Sequence, residues 1–258
     1  MDSPHDQQPD FDHCGGKCRT PMTIPITMAF QPIVDLAQGT IFAHEALVRG
    51  TEGQSAQWVL DQVNDDNRYS FDQTCRVRAI EMAAALGMRE KLSVNFLPNA
   101  VYQPATCIRT TLEAARRTGF PISQIMFEAT EAERVEDVAH LRRILTEYKR
   151  QGFTTAIDDF GAGFSGLNLL AEFQPDIVKI DMQLTRGIED DRIRRAIVGG
   201  ILFACREIGI TVIAEGIETA EQEKALRDMG ISLMQGYRYA RPAFAAMADR
   251  IDHLHPQD

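Results

Sequence analysis

Short apolar runs and longer helical stretches take turns along this chain, and nearly every apolar run stops at a polar residue. Residues 26–34 and 40–49 read as two strands, with Gly39 at the turn between them. So short a link predicts an antiparallel pair. A long helical pattern follows at 71–86, ended by Gly87. From there the chain repeats one unit. Strands are predicted at 92–96, 124–127, 153–158, 177–180, 211–214 and 233–235, and helices at 107–118, 136–151, 166–173, 191–208 and 220–229. That makes eight strands alternating with helices, which predicts an α/β fold with a mostly parallel sheet and helices outside. The strand count favours a closed (β/α)8 TIM-type barrel over an open sheet, with an atypical, antiparallel first strand.

The strand ends carry the chemistry. The second strand is expected to end near Glu45, the third at Asn95, the fourth at Glu128 and the fifth at Asp158 and Asp159. The sixth carries Lys179 and Asp181 on one face, the seventh ends at Glu215 and the eighth at Gln235. Same-face residues just before these groups are small or apolar: Ala43, Ser93, Met126, Ala156 and Ile213. The pattern is that of a packed barrel with one polar mouth, where α/β barrels build their active sites. Taken singly, each group has an ordinary explanation: a capping or solvated carboxylate, turn chemistry for Asn95, a Lys179–Asp181 pair. The argument rests on their joint placement. Several carboxylates converging on one mouth repel one another, and divalent cations resolve that repulsion. An all-oxygen set of Asp, Glu and Asn suits Mg²⁺ or Mn²⁺ rather than structural zinc.

Composition narrows the setting. A chain of 258 residues, 44% hydrophobic, fits one barrel of about 250 residues. The net charge of −10 argues against a nucleic-acid polymer or an anionic membrane as partner, but leaves room for a small phosphorylated substrate held through a metal. Five cysteines without framework spacing point to a reducing, cytoplasmic compartment. The polar stretch 1–20 lacks a signal-peptide apolar region, and the longest apolar run, 196–205, is about half of a membrane span. Residues 1–20 are therefore expected to form a disordered tail, 21–250 the barrel and 251–258 a C-terminal tail. His13, Cys14 and Cys18 lack a second Cys/His pair at ligand spacing, which sets aside a zinc site there.

The motifs resemble those of the EAL-domain cyclic di-GMP phosphodiesterases over residues 25–245. They are Phe30-Gln31-Pro32-Ile33-Val34, Glu45-Ala46-Leu47-Val48-Arg49, Ser93-Val94-Asn95, Phe127-Glu128-Ala129-Thr130-Glu131, Asp158-Asp159-Phe160-Gly161-Ala162-Gly163, Lys179-Ile180-Asp181, Ala214-Glu215-Gly216-Ile217-Glu218-Thr219 and Gln235-Gly236-Tyr237. The resemblance implies two divalent metals at the mouth. One would take Glu45, Asn95, Glu128 and Asp158, and the second would share Asp158 and add Asp159 and Glu215. A bridging water would attack phosphorus in line, with Lys179 holding it and stabilising charge, Asp181 orienting the water or Lys179, and Glu218 behind them. Gln31, Leu47, Arg49 and Gln235 would contact cyclic di-GMP, alongside Asp181 and Glu218, and the product would be linear 5′-pGpG. Glu131 would tether the loop after Asp159, a loop that departs from the commonest family pattern at Ala162 and Gly166. Family members pair through this region, so a homodimer is expected, with Phe164, Leu167, Leu169 and Leu170 as its apolar surface. The alternatives are a degenerate EAL domain that senses cyclic di-GMP without cutting it, or a regulator that works through an unidentified protein partner. No metal ligand of the motif set is missing, which favours the enzyme.

Overall fold

A hairpin opens the fold. β1 (Ile26–Asp35) and β2 (Thr40–Gly50) pair antiparallel along their whole length, from Ile26 opposite Gly50 to Asp35 opposite Thr40. The turn is closed by Gly39 at φ 64°, whose N–H donates to Asp35 O at 2.8 Å. The Asp35 carboxylate accepts from the Ala37 and Gln38 amides inside the same turn. The computed structural model describes residues 23–130, 138–163, 166–248, 251, 253 and 254. The expected tail 1–20, with Cys14 and Cys18, lies outside them, as do Glu131, Phe164 and most of 251–258.

From β2 the sheet runs parallel through β3 (Lys91–Asn95), β4 (Ile125–Thr130), β5 (Thr154–Phe160), β6 (Ile177–Ile180), β7 (Thr211–Ala214) and β8 (Leu233–Met234). β8 then meets β1 antiparallel and closes the barrel. A short β9 (Ala243–Phe244) adds to β1 beyond that contact. The structure is thus the expected (β/α)8 barrel with an antiparallel first strand.

Five longer helices pack outside: α2 (Arg68–Ala85), α4 (Arg109–Thr118), α5 (Val138–Arg150), α8 (Arg192–Glu207) and α9 (Ala220–Asp228). Four shorter ones are α1 (Ala56–Leu60), α3 (Pro104–Cys107), α6 (Gly166–Glu172) and α7 (Met182–Thr185). The helix expected at 107–118 is in fact two, α3 and α4, meeting at Ile108. Pro104 supplies a first-turn residue that starts a separate turn earlier. Neither α1 nor α7 was expected; each is too short for an apolar repeat to register.

The core has two layers. Between strands and helices sit Phe96, Phe127, Tyr148 and Phe153, with the fully buried Arg76 guanidinium 5.2–5.7 Å from three of their ring centroids. Arg76 donates to Tyr148 Oη at 2.7 Å and pairs with Asp72 at 2.6 Å, and Asp72 accepts the Leu97 amide just beyond β3. Inside the barrel a second cluster joins Ile33, Ala43, Met126, Ala156, Ile177, Ile213 and Leu233. Its position sets up everything above it. Two residues along each parallel strand from these apolar groups come Glu45, Glu128, Asp158, Lys179, Glu215 and Gln235. On the antiparallel β1 the same step runs backwards, from Ile33 to Gln31. A period of two makes the apolar layer the floor and the polar layer the mouth. Among the described residues, no helix is long and apolar enough to cross a membrane.

Candidate metal centre

Lys179 stands at the middle of the mouth. Its side chain is fully buried, and its Nζ lies 2.8 Å from Glu215 Oε1, 2.9 Å from Glu128 Oε2, 3.0 Å from Asp158 Oδ1 and 3.6 Å from Glu45 Oε2. The pairing with Asp181 allowed for from the sequence is not what the strand builds. Asp181 instead caps α7, accepting from the Gln183 amide at 2.9 Å. Burial alone would lower the Lys179 ammonium, but the four carboxylates outweigh it and hold it well above its ordinary value. One cation cannot do as much for four anions. Burial pushes Glu128 and Glu215 up; Lys179 pulls both down, yet the neighbouring carboxylates Asp158 and Glu45 add to the rise. Asp159, off the lysine, is raised to about 6 by burial and then by Asp158 and Asp181.

Two groups of carboxylate oxygens lie within 4.8 Å of one another: Glu45, Glu128 and Asp158, and Asp158, Asp159 and Glu215. Asp158 belongs to both. The oxygens are not used up by the protein. Glu128 Oε1 is buried without a hydrogen-bond partner, and Asp158 Oδ1 stands near Lys179 without the alignment of a hydrogen bond. Buried, unsatisfied anionic oxygens are costly unless a cation meets them. The donor set is entirely oxygen, so these residues fit divalent hard cations. Asn95 donates its Nδ2 to Glu45 Oε1 at 2.7 Å, which turns the amide oxygen away from Glu45 and leaves it free to ligate. Gln235 donates to Glu45 Oε2 at 2.8 Å and to Gln31 Oε1 at 3.3 Å, so Glu45 is aimed by its neighbours on both sides. Gln31 in turn donates to Ala240 O at 3.2 Å.

Beside this centre lies a cavity of about 230 Å³, lined among others by Gln31, Leu47, Asp159, Asp181, Glu218 and Gln235. Leu47 and Arg49 share the inward face of Glu45, and this corrects one expectation. β2 does not end near Glu45 but continues five residues further, to Gly50, because β1 stays paired with it up to Ile26. Arg49 rides on that extension, with one nitrogen donating to Val48 O at 2.7 Å. Glu128 and Asp158 likewise sit inside their strands, not at the ends, with β4 running on to Thr130 and β5 to Phe160. β5 can continue because its register with β6 shifts between Ile157 and Phe160, and Asp159 takes a left-handed φ of 53° there. That irregularity swings both adjacent carboxylates into one site instead of to opposite faces.

Sequence reasoning missed the groups that brace the mouth from behind. Gln222 accepts from the Glu218 and Thr219 amides and donates to Thr185 O, while the Thr185 hydroxyl donates to Glu215 O. The one available signal was Thr219-x-x-Gln222, a capping-box spacing just after Glu218. The expected apolar surface also needs correction. Leu169 and Leu170 are buried, packed into the core from α6, and Leu167 is exposed; Phe164 lies outside the described residues.

The chain was compared with known proteins. The family model described as EAL domain matches residues 25–242. A solved structure of a standalone versatile EAL protein from Vibrio cholerae O395, in its cyclic di-GMP-bound form, superposes with a TM-score of 0.88 at 53% identity, covering 91% of this chain and 99% of that one. BlrP1 of Klebsiella pneumoniae, in a calcium and cyclic di-GMP complex, follows with a TM-score of 0.84 at 31% identity, over 92% of this chain and 65% of that one. Among curated proteins, the blue light- and temperature-regulated antirepressor BluF of Escherichia coli is 33% identical over 225 residues, 87% of this chain and 56% of its own. The cyclic di-GMP phosphodiesterase RocR of Pseudomonas aeruginosa is 34% identical over 122 residues, 47% of this chain and 31% of its own. The chain thus spans little more than half of one of these curated relatives and under a third of the other.

Proposed function

The chain belongs to the EAL domain family, and on that premise we propose that it is a metal-dependent phosphodiesterase that hydrolyses cyclic di-GMP to linear 5′-pGpG. The observation that carries this reading is the complete pair of carboxylate groups sharing Asp158 around a buried Lys179. The relatives support it: one is named a cyclic di-GMP phosphodiesterase, and two solved neighbours hold cyclic di-GMP.

Glu45, Asn95, Glu128 and Asp158 would hold one divalent cation, and Asp158, Asp159 and Glu215 a second, with Mg²⁺ or Mn²⁺ as the ions. When bound, such ions make a water nucleophilic and polarise the phosphoryl oxygens. The chain's own residues do the rest. Lys179, held charged by its carboxylates, stabilises negative charge that grows on the phosphoryl oxygens and keeps the attacking water in place. A P–O bond forms to that water while the P–O3′ bond breaks, and the water's proton is passed on to the departing 3′ oxygen. Asp181, in the mouth wall, orients the water; the structure gives it no contact with Lys179. Gln31, Leu47, Gln235 and Glu218 present the cavity surface to the dinucleotide, and Arg49 offers its remaining N–H groups to a phosphate. Glu131 keeps the loop-tethering role that the resemblance implies. We take 21–250 as the catalytic unit, in the cytoplasm and as a homodimer, with 1–20 and 251–258 carrying none of the site.

A receptor or protein-binding regulator is the second reading, favoured by the antirepressor name of one relative. The assay separates them. Purified protein with cyclic di-GMP and Mg²⁺ or Mn²⁺ should yield pGpG, EDTA should stop it, and Ca²⁺ should support binding with little turnover because its looser geometry misplaces the reacting groups. Tight binding with no pGpG in either metal would make the protein a receptor.

A further inference from the structure

Two loops that carry mouth residues are joined behind the site by a buried chain of hydrogen bonds. The loop after β6 brings Asp181 and Met182 to the cavity; the loop after β7 brings Glu215, Gly216 and Glu218. They touch directly at Gly216, whose φ is 68° and where an added Cβ would stand 2.4 Å from Met182 Cβ. Two buried polar side chains then tie them. The Thr185 hydroxyl donates to Glu215 O at 2.6 Å. Gln222 donates its Nε2 to Thr185 O at 3.2 Å, and its Oε1 accepts the Glu218 amide at 3.0 Å and the Thr219 amide at 3.1 Å.

Gln222 is the third residue of α9 and forms a capping box with Thr219. A capping box needs only an acceptor at that position, so glutamate serves as well as glutamine. The amide does more here. Its N–H reaches across to α7, which Asp181 caps, and its oxygen also takes the amide of Glu218. Only a side chain that both donates and accepts can make this set. The contacts converge on the backbone immediately around Glu215, the one carboxylate of the second group that lies beyond a strand end; its N–H makes the last bond of the ladder, to Ile180 O at 3.2 Å, and its C=O is held by Thr185.

We infer that Thr185 and Gln222 are positioning residues for the metal-facing carboxylates: they lock the loop of Glu215 and Glu218 to the loop of Asp181 and so set the geometry of the second cation site. The inference rests on the metal reading proposed above. It predicts that outer partners of ligands matter about as much as such groups do in other metal sites, where losing one costs about 10- to 100-fold in affinity.

The test is calorimetric titration of the full chain with Mn²⁺ alone, paired with thermal melts. Gln222→Glu keeps the capping box but sets a carboxylate oxygen against Thr185 O, so it should stay folded with a lowered melting temperature and bind Mn²⁺ about 10-fold or more weakly. Thr185→Val should do the same, and Thr185→Ser, which restores the hydroxyl, should bind as wild type does. Thr155→Val removes a buried hydroxyl bond to Asp176 at the opposite end of the barrel and should leave Mn²⁺ affinity untouched. Wild-type Mn²⁺ affinity in Gln222→Glu, or equal weakening in Thr155→Val, overturns the assignment. Wild-type protein that binds Mn²⁺ without hydrolysing cyclic di-GMP would sink the proposed activity but leave this inference standing, while wild-type protein that binds no Mn²⁺ would sink both.

Discussion

Lys179 makes one ion-paired cation answer to four carboxylates, and its value to the reaction differs from its value to binding. Interactions that strengthen only in the transition state raise turnover without raising affinity. Lys179→Ala should therefore bind cyclic di-GMP in Ca²⁺ much as wild type does, while single-turnover hydrolysis in Mg²⁺ falls by about 10²-fold or more. Unchanged turnover would reduce the lysine to a structural counter-ion. Asp159 supplies a prediction about pH. Its carboxyl is raised to about 6, so the folded chain holds that proton more tightly than the unfolded chain. The stabilisation is present below about pH 4 and is lost as pH rises through about 6. Glu128 and Glu215, also raised, extend the loss upward; Lys179, raised too, releases its proton only above about 10, outside this window. In EDTA the melting temperature should fall across this range, Asp159→Asn should flatten part of the slope, and Mn²⁺ should reverse it by binding the deprotonated form. A slope identical in Asp159→Asn would show that the group is not the titrating one. At this scale the sequence was highly legible. An apolar residue followed two places on by Glu, Asp, Lys or Gln, on strand after strand, is a period-two signal that needs no structure. The Arg76–Tyr148, Thr185–Glu215 and Gln222–Thr185 links were not legible, because these partners stand 72, 30 and 37 residues apart in sequence.

Elements are placed here by contacts between backbones as much as by side chains. At Gly236, just past β8, an added Cβ would fall 2.0 Å from Ile217 O and 2.3 Å from Ile217 N, so the turns after β7 and β8 touch main chain to main chain. The same contact carries the Ile217 N–H to Gln235 O hydrogen bond of 3.1 Å. Gly236→Ala should push the two turns apart, lower stability by about 1–3 kcal/mol as overpacking does, and shift Gln235 off Glu45. A thermal melt and the hydrolysis assay check both, and a variant equal to wild type in each would show that the turns yield without consequence. The strands and long helices were readable because each repeats an apolar face often enough to establish its period. α1, α7 and β9, of two to five residues, offer no such repeat. α6 was misjudged for a different reason. Its apolar residues read as a surface only when their spacing is ignored: 169, 170 and 173 fall on one helical stripe that faces inward, with Leu169, Leu170 and Phe173 all buried. Leu167, off that stripe, is 63% exposed. The irregular step in β5 that turns Asp158 and Asp159 to one site was beyond a strict strand reading, which sends neighbours to opposite faces.

For the whole molecule, the proposed homodimer needs a surface, and the burial of Leu169 and Leu170 moves it. α8, which comes between β6 and β7 in the chain and packs on β7, exposes Ile193 at 71%, Ile197 at 46% and Phe203 at 68%. These fall on one stripe of the helix, with Gly200 between them facing open space. Apolar groups this exposed and this aligned support a proposed interaction site there. A second copy of the chain is the occupant that fits. A two-fold interface sets the same patch against itself, and an apolar stripe is self-complementary where a charged one is not. Gly200 lets two such helices cross closely at their midpoints. Wild-type protein should therefore run as a dimer by light scattering at micromolar concentration, and the double substitution Ile197→Asp, Phe203→Glu should shift it to a folded monomer, since both side chains are exposed on the single chain, with a melting temperature that no longer depends on protein concentration. Because α8 begins shortly after the loop that carries Asp181 and Thr185, the monomer should also show altered turnover. A wild-type chain that is monomeric at that concentration, or a double variant that still dimerises, would refute this placement of the interface.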